Sequence, residues 1–362
     1  RNAAFGWRRD SRAQRGIEMK PGCYTAIVTP FLDGKVDYAG LEKLVDFQIA
    51  NGVTGILAVG TTGESPSLAW DEHHRVTAHV VEKTRGKCLA IAGTGSNNTQ
   101  EALAATRHAV ETGADAVLLV DPYYNGPSSL EIRREYIGPI AAAFPGVDVI
   151  PYVIPGRTGA QLLPEDLGLL SQEFKNVRTV KEATGSLENM RRTRSVCGRD
   201  FTILSGDDAL TYAVMTDPQI LAAGVISVIS NVAPAAVSEM VGLLLDGDKT
   251  LAEKRMRLLE PLFNLVTVKT TEKTPFGEVV CRARNPLALK TLMAVLGMPA
   301  GSCRQPLGKM TANGLETVLG AARTVFAADP RVFQPVADFF GVDVEARLNS
   351  LNFRKGLSYE TY

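Results

Sequence analysis

The fold is decided by Cys88-Leu89-Ala90-Ile91-Ala92 and Asp115-Ala116-Val117-Leu118-Leu119-Val120, with the helical stretch Glu101 to Glu111 between them. Neither run alternates apolar with polar residues, so each predicts a strand buried on both faces. A helical crossover between two such strands makes them parallel. Gly113 follows the helix at a position that favours a left-handed backbone, and Gly52 and Gly224 read as helix ends of the same kind. Working outward, the unit recurs. Strands at Tyr24 to Thr29, Thr54 to Val59, Asp148 to Val153, Val177 to Val180, Thr202 to Leu204 and Gly224 to Val228 bring the set to eight. The intervening segments have helical period, as in Leu41 to Ala50, where Leu41, Leu44, Val45 and Ile49 share a face. Eight βα units predict an α/β fold, a (β/α)₈ TIM barrel, rather than an open doubly wound sheet.

After Ala233 the strand signal stops. Ala236 to Leu245, Leu251 to Val266, Pro286 to Leu296 and Asn313 to Phe326 read as the helices of a C-terminal helical domain. The expected organisation is a leader or tag-like segment over 1–18, the barrel over 19–243, the helical domain over 244–327 and an extension over 328–362, an extra helix or two with a loose tail. The leader has five arginines against two acids and no hydrophobic period, so it suggests a tag or plastid-type transit remnant.

The 362 residues carry 39 basic and 39 acidic side chains, so no net field draws in a nucleic acid or an anionic membrane. Five scattered cysteines contain no Cys-x-x-Cys pair, which suggests neither a disulfide framework nor a zinc knuckle, and a reducing compartment. No apolar run approaches the length of a membrane span. Gly93-Thr94-Gly95-Ser96 lacks the third glycine of a dinucleotide fingerprint.

In a barrel of this kind the chemistry sits at the C-terminal ends of the strands. Those positions contain no histidine: His73, His74, His79 and His108 all fall in helical segments, without a His-Glu-x-x-His pattern. Neither a metal nor a Gly-x-Ser-x-Gly elbow is expected. What remains is Lys181, at the end of Val177-Arg178-Thr179-Val180. An amine desolvated in a barrel mouth loses basicity, becomes nucleophilic and can form an imine with a ketone. The competing reading pairs Lys181 with an acid such as Glu182. Tyr152, Thr61 and Thr62 offer hydroxyls for proton transfer and, in the Gly60-Thr61-Thr62-Gly63 turn, a carboxylate cradle; alternatively that turn is a helix entry capped by Ser65. Arg157, within Pro155-Gly156-Arg157-Thr158-Gly159, clamps a second carboxylate or forms a surface ion pair. Asp207 and Asp208 read as caps for a helix beginning at Ala209 rather than as a catalytic pair, and Trp70 as packing at a helix start.

With these residues in hand, the sequence from about Met19 to Ala327 resembles the dihydrodipicolinate synthase and N-acetylneuraminate lyase family. The motifs are Gly60-Thr61-Thr62-Gly63-Glu64-Ser65, Pro122-Tyr123-Tyr124-Asn125, Tyr152 with Pro155-Gly156-Arg157-Thr158-Gly159, Val180-Lys181-Glu182-Ala183-Thr184-Gly185 and Ser205-Gly206-Asp207-Asp208. The resemblance implies a class I aldolase in which Lys181 forms a Schiff base with pyruvate while Tyr152, Thr61 and Tyr124 relay protons, Tyr124 from across a subunit interface. It implies that Thr62 holds the pyruvate carboxylate, that Gly206 and Ile226 line the pocket, and that Arg157 grips aspartate semialdehyde. The implied product is 4-hydroxy-tetrahydrodipicolinate, committed to lysine, made without a cofactor. Ser65, Trp70, His73, Asn97, Glu101 and Tyr123 match a lysine feedback site. The implied assembly is a dimer of dimers in the bacterial cytoplasm, with the plastid stroma as the alternative. Val153 stands where Asn commonly follows the tyrosine, which predicts altered hydrogen bonding around the second substrate. Residues 267–284 and the segment after Ala327 are additions with no function implied. The rival readings are an aldolase acting on a 2-keto-3-deoxy sugar acid and a silent barrel that only binds a keto acid or amino acid.

Overall fold

The computed structural model describes residues 19–362; the expected leader at 1–18 lies outside the described residues. Eight parallel strands close a barrel: β1 Gly22–Ala26, β2 Gly55–Ala58, β3 Leu89–Gly93, β4 Ala116–Val120, β5 Asp148–Val153, β6 Thr179–Glu182, β7 Thr202–Ser205 and β8 Gly224–Ser227. Each pairs with the next, and β8 returns to β1 in the register Tyr24↔Ile226. All eight expected strands are present, with ends shifted by a few residues.

The absence of alternation is explained by burial on both faces. Tyr24, Leu57, Ile91, Leu118, Ile150 and Ile226 fill the interior. The intervening positions pack outward on the helices: Val117, Val149, Val153 and Val180 in one cluster, Ile56, Ala58 and Val225 in another. Gly113 caps its helix in the left-handed region (φ 97°) as expected. Gly224 does not cap a helix: it opens β8, where a Cβ would collide with the carbonyl oxygen of Gly22 on the neighbouring strand. Its requirement is therefore close approach of two backbones.

The expected C-terminal helices occur at Pro234–Leu245, Lys249–Phe263, Leu287–Leu296 and Ala312–Ala328. Two expectations are corrected. Strands do not end with the barrel: β9 Thr267–Thr274 and β10 Gly277–Arg284 form an antiparallel ribbon. Its sequence alternates β-branched with charged residues around Pro275-Phe276-Gly277, but little of it is buried, so hydrophobic periodicity carries no signal. The extra helices expected after Ala327 are present at Gln334–Phe340 and Val344–Asn349, and Val332, Phe333, Val336, Val344 and Leu348 are buried in the cluster that joins the C-terminal helices to the barrel. The tail beyond them is not wholly loose, since Met310 bridges to Ser358. No helix among the described residues is long and apolar enough to cross a membrane.

Candidate active site

Alternation along the strands places the reactive groups. Tyr152 on β5 and Lys181 on β6 are in register and both point into the barrel, while Val153 and Val180 beside them point out to the helices. The Lys181 Nζ lies 4.1 Å from the centre of the Tyr152 ring and has no ion-pair partner among the described residues. Glu182 is not that partner: it lies on the other face, where its carboxylate accepts the Thr184 amide at 2.7 Å. Burial pushes the Lys181 amine down to about 7, Asp208 pulls it up less strongly, and Arg157 adds to the depression. A substantial fraction of this amine is therefore neutral, and nucleophilic, near neutral pH.

Gly206 makes room for it. A Cβ there would stand 3.3 Å from Lys181 Cε and 2.7 Å from the Ala183 Cβ. Ile226 packs in the same interior cluster as Tyr152. Burial raises the Tyr152 phenol, while Arg157 and the neighbouring Thr61 side chain pull it back. Thr61, Ser65, Tyr123, Tyr152, Arg157 and Thr158 line a cavity of about 190 Å³ at the strand ends. Such a volume suits a small keto acid rather than a nucleotide.

The Gly60–Gly63 turn is held under strain. Val59 (φ 48°) and Glu64 (φ 56°) flank it in the left-handed region, which is costly for a β-branched residue. Thr29 donates to the Gly63 carbonyl at 2.7 Å. The Gly63, Glu64 and Ser65 amides bond within the turn, whereas the Thr61 and Thr62 amides have no partner among the described residues. The Thr62 hydroxyl is buried and accepts Asn285 Nδ2 at 2.9 Å, which leaves its own O–H to donate. Thr62 therefore offers a carboxylate that O–H as well as its backbone N–H. Ser65 does not cap a helix; it begins a short 3₁₀ turn that precedes the helix Trp70–Thr84.

Glu64 anchors this turn from below. Its carboxylate accepts Lys290 Nζ at 2.6 Å and the Arg304 amide at 2.8 Å, and both Glu64 and Lys290 are almost fully buried. The sequence reading gave neither residue a role, because a Glu inside a motif and a Lys on an apolar helix do not announce each other across 226 positions. Arg284 and Asn285 were missed likewise. Asp207 accepts the Ala209 amide at 2.9 Å, consistent with a cap-like turn. Asp208 is not a helix cap: it is buried and accepts the Val228 and Ile229 amides at 2.8 and 3.2 Å, fixing the loop after β8. Burial raises its carboxyl to about 6.

Two further expectations meet different outcomes. Val153 faces the helix layer, so its replacement of an amide does not reach the cavity. Tyr124 is 87% exposed and stands clear of this chain's own pocket. Beside the cavity, Trp70 packs on His73 at 4.9 Å between ring centres, and burial pushes His73 down to about 4. Glu101 accepts the Ser96 hydroxyl at 2.5 Å, and Asn97 accepts the Tyr123 amide at 2.7 Å. The Asn97 N–H₂ is therefore the half of that side chain left to serve a ligand.

Comparison with known proteins agrees with this geometry. The 4-hydroxy-tetrahydrodipicolinate synthase of Methanococcus maripaludis (strain C5) is 40% identical over 304 residues, 84% of this chain and 98% of the relative. The synthase structure from Methylacidiphilum fumariolicum SolV superimposes with a TM-score of 0.78 at 34% identity, covering 88% of this chain and 99% of that one. A dihydrodipicolinate synthase from Cyanidioschyzon merolae, solved with lysine bound, gives a TM-score of 0.77 at 34% identity over 85% and 99%. Residues 19–324 match the family described as Dihydrodipicolinate synthetase; the chain belongs to that family and is an enzyme of its lyase-type aldolase class.

Proposed function

We propose that this enzyme condenses pyruvate with L-aspartate 4-semialdehyde to give 4-hydroxy-tetrahydrodipicolinate. The observation that carries the reading is the Lys181 amine, buried without an ion-pair partner against the Tyr152 ring. Lys181 adds to the ketone carbon of pyruvate and loses water to form an iminium. The iminium withdraws electrons from C3, which gives up a proton to form an enamine. Enamine carbon then attacks the aldehyde, and the amino group of the bound semialdehyde displaces Lys181 by transimination, returning the free lysine.

Tyr152 and Thr61, which line the same cavity, move the protons these steps require. The unpartnered Thr61 and Thr62 amides receive the pyruvate carboxylate, and Arg157 at the cavity mouth receives that of the aldehyde. Tyr124 acts in the relay of a neighbouring subunit, which requires at least a homodimer, and the assembly proposed is a dimer of dimers. Lysine binds beside the pocket, with Glu101 holding its ammonium, His73 its carboxylate, Trp70 its methylenes, and Ser65, Asn97 and Tyr123 closing the site. The carboxylate-binding Arg157 favours this substrate over a polyhydroxylated sugar acid.

Steady-state assays with pyruvate plus aspartate semialdehyde, and with 2-keto-3-deoxy sugar acids in the cleavage direction, test the reading. Turnover confined to the first pair is expected; efficient cleavage of the sugar acids without semialdehyde turnover would refute it.

A further inference from the structure

The β9–β10 ribbon reaches the loop that carries Arg157 beside the catalytic pocket. It is fixed at one side by Val268 in the core and by Thr270 and Glu272 against Thr311 and Asn313. Its last ladder pair is Thr267↔Arg284. From that pair the chain turns directly into Asn285, whose amide bonds the Val266 carbonyl at 2.9 Å and whose side chain donates to the Thr62 hydroxyl. Arg284 is thereby set over the loop that carries Arg157, and its Nη1 donates to the Gly156 carbonyl at 3.2 Å.

Two guanidiniums thus share one loop: Arg157 lines the cavity, and Arg284 is bonded to the Gly156 carbonyl next to it. Neither Arg157 nor Arg284 has an ion-pair partner among the described residues. Each is partly buried, and the Arg284 charge reinforces burial in pushing Arg157 down, against a pull upward from Tyr152. Like charges held together without an acid between them form a receptor whose electrostatic cost is relieved when an anion enters. Only one of Arg284's five N–H groups has a partner assigned in the structure, the Nη1 donor to Gly156.

Resting on the substrate reading above, we infer that Arg284, delivered by the ribbon, is a second specificity determinant that acts with Arg157 on the carboxylate of the incoming aldehyde. The added segment is then part of substrate selection rather than a surface ornament. Arg284 contributes to capture of the charged aldehyde and not to imine formation, which takes place deeper in the barrel at Lys181.

The test is steady-state kinetics on the full chain with pyruvate, aspartate semialdehyde and 3-aminopropanal, which keeps the amine but lacks the carboxylate, comparing wild type with Arg284→Ala, Arg284→Lys and Phe276→Ala. Phe276 is the fully exposed ribbon tip and serves as the control. The expected result is a KM for aspartate semialdehyde raised about tenfold in Arg284→Ala, partly recovered in Arg284→Lys. The pyruvate and 3-aminopropanal KM values stay unmoved, and Phe276→Ala behaves as wild type. An Arg284→Ala KM within about twofold of wild type, or an equal rise for 3-aminopropanal, overturns the inference. Wild-type protein that captures pyruvate on Lys181 but turns over no aspartate semialdehyde gives a different pattern, and overturns the substrate reading on which the inference rests.

Discussion

Two lysines are buried in this molecule, and they are treated oppositely. Lys290 is ion-paired with Glu64 at 2.6 Å, donates to the Thr29 carbonyl at 3.1 Å and lies over the Phe31 ring. Lys181 has the Tyr152 ring at 4.1 Å and no carboxylate in contact, and its amine is driven down to about 7. Both chains cross apolar surroundings; the difference is whether the surroundings hold an ionised partner at contact distance. With one, the buried amine is a structural pin. Without one, desolvation strips its proton and leaves a nucleophile. The pair also works together, because the Glu64–Lys290 pin holds the Gly60–Gly63 turn that supplies Thr61 to the reactive lysine.

The comparison predicts separable phenotypes. Lys181→Ala removes the imine and is expected to reduce turnover at least about 10³-fold while the fold persists; circular dichroism together with the assay checks it. Tyr152→Phe keeps the ring beside Lys181 but removes the relay hydroxyl, and a fall in kcat of about 10²- to 10⁴-fold is expected. A Tyr152→Phe variant with unchanged kcat would move proton transfer elsewhere. Lys290→Ala leaves a buried Glu64 carboxylate without its cation and is expected to destabilise the protein by about 3–5 kcal/mol in denaturant unfolding, whereas Lys181→Ala should be neutral or stabilising. Equal destabilisation by both would erase the distinction.

The depressed amine also fixes a pH dependence. Below about 7 Lys181 is largely ammonium and inert; as pH rises through that value the neutral fraction grows, so kcat/KM for pyruvate climbs on an acid limb centred near 7. Asp208 raises the Lys181 amine in the folded protein, so Asp208→Asn should move that limb to lower pH. A limb that stays put would place the titration elsewhere. The smallest effect is expected for Asn285→Ala, which frees the Thr62 hydroxyl: pyruvate KM changes by a few-fold, read from initial rates.

Much of this was legible in the chain. Strands buried on both faces read as unbroken apolar runs, and their ends pointed to Lys181, Tyr152, Thr61 and Arg157, which the structure gathers at one mouth. Legibility failed where function depends on pairing across distance. Glu64 and Lys290 meet only through the closed barrel, and Asp208 reveals its role only when the loop after β8 folds onto it. Face assignment was a second limit. Val153 read as a change near the second substrate because Asn commonly stands there in the family the sequence resembles, but adjacent strand residues point to opposite sides. The ribbon was the third: with both faces largely in solvent, β9 and β10 show no apolar period, and Arg284 stood only as the end of an added segment.

Incubation with pyruvate and sodium borohydride, followed by peptide mass spectrometry, tests the contrast between the two lysines most directly. A reduced pyruvyl adduct on Lys181, with Lys290 unmodified, is the predicted result. Folded protein in which Lys181 stays unmodified would contradict the account and leave a barrel that only binds its ligand.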